Sequence, residues 1–99
     1  MKMEAYVDVN GKCEYLQWVN KLDTVTSRRI KRHVDRLKLG LGDIKHISGS
    51  LFELRMDFGP GYRVYFVRKG NEVIILLGGS AKIDQERAIE RSKRIAAIL

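Results

Sequence analysis

The stretch Phe52–Gln85, FELRMDFGPGYRVYFVRKGNEVIILLGGSAKIDQ, decides the fold, because its alternation sorts side chains onto the two faces of paired strands. From Phe52 to Phe58 the apolar set is Phe52, Leu54, Met56 and Phe58, with Glu53, Arg55 and Asp57 pointing the other way. From Tyr62 to Phe66 it is Tyr62, Val64 and Phe66, with Arg63 and Tyr65 opposite. Gly59-Pro60-Gly61 has the composition of a turn, since Pro fixes φ and Gly accepts positive values. A register that keeps apolar face against apolar face then pairs Phe58 with Tyr62, Asp57 with Arg63 and Arg55 with Tyr65. The expectation is a β-hairpin whose non-core face gathers arginines and a tyrosine, a surface for polyanions.

A second hairpin follows around Gly70-Asn71, a two-residue turn of the kind favoured in tight hairpins. It sets Lys69 against Glu72, Tyr65 against Leu76 and Arg63 against Gly78. Val73 to Leu77 is apolar at every position, which predicts a central strand covered on both faces. Gly78 has two readings at this stage: open space beside Arg63, or a bulge or bend in the strand.

The flanking sequence completes an α+β pattern. Met3 to Asn10 reads as a short strand closed by Asn10-Gly11, and Tyr15, Leu16, Trp18, Val19 and Leu22 recur at helical spacing over Glu14–Leu22. Asp23 or Thr24 caps a second helix that carries Val25, Ile30, Val34, Leu37 and Leu41 inward and ends at Gly40 and Gly42. Its other face bears Arg28, Arg29, Lys31, Arg32, Arg36 and Lys38, either a solvated surface or part of a nucleic-acid footprint. Ile44–Ile47 reads as a brief strand. Asp84 is the expected N-cap of a last helix with Ile89, Ile95, Ala96 and Leu99 near the core and Ser92 between them. The order is β-α-α-β-β-β-β-α: a helical hairpin and a C-terminal helix packed on a mainly antiparallel sheet.

Composition narrows the function classes. Ninety-nine residues, 44% hydrophobic with one proline, predict a single folded domain over residues 1–99. Nineteen basic against twelve acidic residues give a net charge of +7, which favours an acidic partner. One cysteine, Cys13, excludes an internal disulfide and suits a reducing cytosol, where a structural thiol is the simpler account than a nucleophile. No apolar run reaches the roughly twenty residues of a membrane span, and MKMEAYVDVN has no signal-peptide pattern, so a cytoplasmic location is expected. His33 and His46, thirteen apart, form no ligand motif, and no carboxylate cluster suggests a metal.

The stretches Trp18–Leu22, Arg36-Leu37 through Gly42-Asp43, Glu53-Leu54-Arg55, GPGYRVYF at Gly59–Phe66, Leu76-Leu77-Gly78-Gly79, and Lys82 with Gln85 resemble the phage-derived addiction-module killer (HigB-like) branch of the RelE/ParE toxin superfamily. The resemblance spans nearly the whole chain. It implies a RelE-like fold and a cytoplasmic toxin of a type II toxin–antitoxin module. The implied partners are a cognate helix-turn-helix antitoxin, the ribosome and mRNA, with operator DNA bound only through the antitoxin complex. RelE-like members cut mRNA in the ribosomal decoding site, whereas ParE-like members inhibit DNA gyrase without nuclease chemistry. A third alternative is a catalytically inactive domain that binds antitoxin and operator. Two features depart from the pattern: Gly-Gly-Ser-Ala-Lys is one residue longer than Gly-Gly-x-Lys, and Ala88 stands where a branch member often has an acid.

Carried onto this sequence, the nuclease alternative assigns Arg55, Arg63 and Lys82 to catalysis, and Tyr65, Lys69, Gln85 and Lys45 to RNA binding, with no cofactor. Metal-free cleavage uses the 2′-hydroxyl as nucleophile, so the protein must align the strand, stabilise charge on the phosphorane and move two protons. Arginine suits the second task because its planar fork is always charged. Simpler roles exist for each: an ion pair of Asp57 with Arg63, and stacking of Arg55 on Tyr65.

Overall fold

The computed structural model describes residues Met1–Leu99. Five strands, β1 (Lys2–Ala5), β2 (Asp43–Ser48), β3 (Leu51–Met56), β4 (Tyr62–Lys69) and β5 (Val73–Ala81), form one sheet in the order β1-β5-β4-β3-β2. Only β1 runs parallel to its neighbour; the β5-β4-β3-β2 portion is antiparallel. Helices α1 (Glu14–Lys21) and α2 (Thr24–Asp35) precede β2, and α3 (Gln85–Ala96) follows β5. The chain is thus an α+β fold with the element order expected from its periodicity.

Each face of the sheet carries its own core. Beneath α1 and α2, Tyr15, Val19, Ile30, Val34 and Leu37 meet Leu54, Met56, Val64, Phe66, Ile74 and Leu76, with Phe52, Phe58 and Tyr62 at the margin. Beneath α3, Leu51, Tyr65, Val67, Ile75, Leu77 and Ala88 pack together, flanked by Ile89, Ile95, Ala96 and Leu99. The face assigned to polyanions is therefore half core, because α3 lies over it. β5 is buried on both faces, as its unbroken apolar run requires.

Local signals act where the sequence places them. The Asp23 carboxylate accepts from the Thr26 amide at 3.0 Å and caps α2, and the Thr26 hydroxyl, then that amide, hold the carboxyl below the usual aspartate value. The Asp8 side chain accepts from the amides of Asn10 and Lys12, so the Asn10-Gly11 turn is tied locally and β1 ends at Ala5 instead of reaching Asn10. Two expected core residues are not core: Val25 is 76% exposed and Leu41 is 52% exposed. Val25 lies in the first turn of α2, and Leu41 follows the 3₁₀ turn Arg36–Leu39 that closes the helix. Asp84 stands at the N-terminus of α3 without capping it through its side chain, because a 3₁₀ turn, Lys82–Asp84, leads into the helix.

The registers differ from those expected. Met56 pairs with Tyr62, Arg55 with Arg63 and Glu53 with Tyr65, so the first hairpin loop spans 57–61 and the Phe58–Tyr62, Asp57–Arg63 and Arg55–Tyr65 pairs do not form. In the second hairpin Lys69 pairs with Val73, Phe66 with Leu76, Tyr65 with Gly78 and Arg63 with Ser80. The jump between Phe66 and Tyr65 leaves Leu77 as the extra residue of a β-bulge. Of the two readings of Gly78, the bulge is the one the fold uses.

Candidate functional site

The bulge and the long loop bring two charged rows into line across the sheet. One row runs Asp43–Arg55–Arg63–Ser80 and the next Lys45–Glu53–Tyr65–Gly78, each a set of paired residues on β2, β3, β4 and β5. Paired residues point to one side, so these side chains share the α3 face at the end where the apolar layer stops.

Arg63 is the least satisfied member. It is 7% exposed, yet no carboxylate lies within ion-pair distance. Nη1 donates to the Tyr62 carbonyl at 3.1 Å, and the buried Nε has no partner. Burying a guanidinium this way costs free energy that a bound anion would offset. The stem of Lys82 passes close by. A Cβ on Gly61 would lie 3.3 Å from the Lys82 Cβ and 3.7 Å from Arg63 Nη1. Gly61, at φ +77, thus turns the loop and leaves room where the Lys82 stem passes the Arg63 guanidinium.

Arg55 differs from Arg63 in kind. Its Nη2 donates to Asp43 Oδ1 at 2.9 Å across β2 and β3, and this bond holds the guanidinium pKa above its ordinary value. It therefore does not stack on Tyr65. Its Nε is nevertheless buried without a partner.

The row behind is closed. Tyr65 is fully buried, with its hydroxyl 3.0 Å from Ser80 Oγ, so no base can stack on its ring. Burial raises its pKa, leaving the phenol neutral at neutral pH. Gln85 Nε2 donates to both oxygens of Glu53, at 3.2 and 3.0 Å, so the amide expected on RNA instead holds a buried carboxylate. Lys45 is exposed beside Glu53 on β2 and forms no ion pair with it. Lys69 lies at the far end of β4, six residues or about 20 Å from Arg63, with Nζ donating to the Leu99 carbonyl. Of the seven expected residues, Arg55, Arg63, Lys82 and Lys45 share one end of the sheet; Tyr65 and Gln85 support it from beneath, and Lys69 is elsewhere.

No protein-family model matches the chain. A protein of Haemophilus influenzae, described as an uncharacterized protein, is 38% identical over 92 residues, covering 91% of this chain and 93% of its own length. The chain belongs to the family of that protein.

Two residues of this site went unassigned in the sequence. Alternation puts Glu53 on the correct face, and its place beside Arg55 signals a carboxylate among cations, but nothing in the sequence marks its bond to Gln85. Gly79 packs so closely on Trp18 of α1 that a Cβ would clash with the indole. The Gly-Gly pair therefore seats α1 against β5 while the bulge ahead of it sets the row that holds Arg63. No helix is long and apolar enough to cross a membrane, and no group of three or more His, Cys, Asp or Glu could hold a metal ion.

Proposed function

We propose that the chain is a RelE-like toxin of the addiction-module killer branch that cuts mRNA on the ribosome, without metal, by attack of the RNA 2′-hydroxyl. The observation that carries this reading is Arg63: a buried guanidinium with no carboxylate partner, beside Lys82 and one strand from Arg55. In this reading Arg63 and Lys82 stabilise the negative charge that grows on the phosphorane. Arg55, aligned by Asp43, holds the neighbouring phosphate, and Lys45 extends the contact along β2. Glu53 and Gln85 act as a buried prop that fixes the row. Proton transfer falls to the ribosome or to water, since Tyr65 is buried and neutral and His33 belongs to α2 on the opposite face. The free protein is then a weak nuclease, and the decoding site supplies the alignment.

Expression from a tight promoter followed by mapping of RNA ends tests the reading. New 5′-hydroxyl ends within translated messages are expected; growth arrest without them refutes it. A second reading, a ParE-like, non-enzymatic inhibitor of DNA gyrase, would use the same basic surface and needs no proton transfer. A supercoiling assay with purified gyrase separates the two. In either case a cytoplasmic toxin with this charge requires neutralisation, and a small helix-turn-helix antitoxin from the adjacent gene is the expected partner. Co-expression with pull-down checks it.

A further inference from the structure

On the far side of the first hairpin loop, α2 and the end of β3 enclose an open cleft of about 480 Å³. Arg29, His33 and Arg36 enter it from α2, and Arg55 and Phe58 from the β3 side. The Arg29 guanidinium lies 4.0 Å over the Phe58 ring, and His33 stacks on the same ring at 5.7 Å and 23°. Neither Arg29 nor Arg36 has a carboxylate within ion-pair distance. Of the two acids in the cleft, Asp43 is engaged by Arg55, and Asp57 remains at the rim.

Three features separate this cleft from an ordinary solvated helix face. The cations line one concavity, with His33 half-buried in it and Arg29 and Arg36 exposed along its wall. The Phe58 ring lies 4.0 Å from the Arg29 guanidinium carbon, close enough for a cation–π contact that favours one place for the charge. Arg55 belongs both to the cleft and to the Asp43–Arg55–Arg63–Ser80 row, so the two basic regions are continuous. We propose that the Arg29–His33–Arg36 cleft is a second phosphate subsite, holding a single-stranded RNA whose chain continues past Arg55 to Arg63. The substrate class rests on the nuclease reading; the subsite rests on the cleft.

His33 is the built-in reporter. Burial and then Arg36, Arg29 and Arg32 hold its pKa below the ordinary imidazole value; Arg55, Asp43 and Asp57 are the other charges in the cleft. A phosphate beside it adds negative charge and reverses part of that shift. The test follows the His33 ring resonances by NMR while inorganic phosphate, then oligouridylate, is added at constant ionic strength. Both probes are expected to move His33 and raise its titration midpoint. Arg29→Gln/Arg36→Gln should abolish the phosphate response, weaken oligouridylate binding roughly tenfold, and lower the salt slope by about 1.4 for two lost single-strand contacts. The charge-keeping pair Arg29→Lys/Arg36→Lys should retain most of the binding, which separates lost charge from lost packing. A silent His33 overturns the subsite, as does a response to oligoglutamate but not to oligouridylate. Failure of the nuclease reading shows up independently, as missing 5′-hydroxyl ends in expressing cells.

Discussion

The two faces of the sheet differ in where their chemistry changes. Under α1 and α2 the apolar residues continue along β3 and β4 into the 57–61 loop, ending in the Phe58–Tyr62 contact at 5.4 Å. Under α3 the apolar layer of Leu51, Val67 and Ile75 gives way to Glu53, Arg55 and Arg63. A uniform face needs no hydrogen bonds between side chains. A mixed face needs them wherever a polar group is buried, and here Gln85 satisfies Glu53 and Ser80 satisfies Tyr65, while Arg63 is left over. One face holds the fold together, and the unsatisfied end of the other is where a ligand gains most.

The largest effect should come from the uniform face. Phe66 is 2% exposed and stacks on Phe52 at 5.7 Å, so Phe66→Ala should cost ~3–5 kcal/mol, measured by urea denaturation. A cost comparable to that of a surface substitution would break the contrast between the faces. Next, Gly79→Ala places a methyl group against the Trp18 ring and should cost ~1–3 kcal/mol. Adding Trp18→Leu should recover part of that loss, because the two side chains share one space; strictly additive costs would sink the steric account.

How much of this was legible in the sequence follows from the same contrast. Alternation assigned Phe52, Leu54, Met56, Tyr62, Val64 and Phe66 to one face and Glu53, Arg55, Arg63 and Tyr65 to the other, and the structure agrees. Register was not legible. In the first hairpin the expected and observed pairings differ by two residues, and a slip of two keeps every side chain on its face. In the second, Val73–Leu77 of β5 is apolar at every position, so its parity could not locate the bulge at Leu77. The cover over the polar face was also illegible, because Arg63 and Tyr65 read the same whether α3 lies above them or not. Arg63 as a buried, unpaired charge emerges only once the register and α3 are in place.

Arg63→Met sharpens the contrast further. Methionine fills much of the space without the charge, so the variant should abolish growth inhibition while gaining about 1 kcal/mol of stability. Arg63→Ala is the poorer test, since truncating a residue this buried also opens a cavity. If the methionine variant were destabilised instead, Arg63 would be part of the fold and not a charge reserved for a ligand.

The smallest effect belongs to His33, at the margin where the uniform face opens to solvent. Its folded-state pKa lies below the ordinary 6.5, because burial and the Arg36, Arg29 and Arg32 charges favour the neutral ring. The unfolded chain therefore takes up a proton first as the pH falls, and the stability His33 contributes is present above 6.5 and lost as the pH drops through its lower folded value. Asp23, the cap of α2, is shifted in the same direction from an ordinary value of 3.8, so its contribution disappears only in a more acidic range. The two can be resolved by following the urea midpoint from about pH 7 to 5, where an imidazole titrates and a depressed carboxyl does not. Wild type should lose stability modestly over that range, and His33→Gln should flatten the curve. An unchanged slope in the variant would mean that the Phe58 stack tolerates the imidazolium, which would remove the basis for using His33 as a reporter of anions in the cleft.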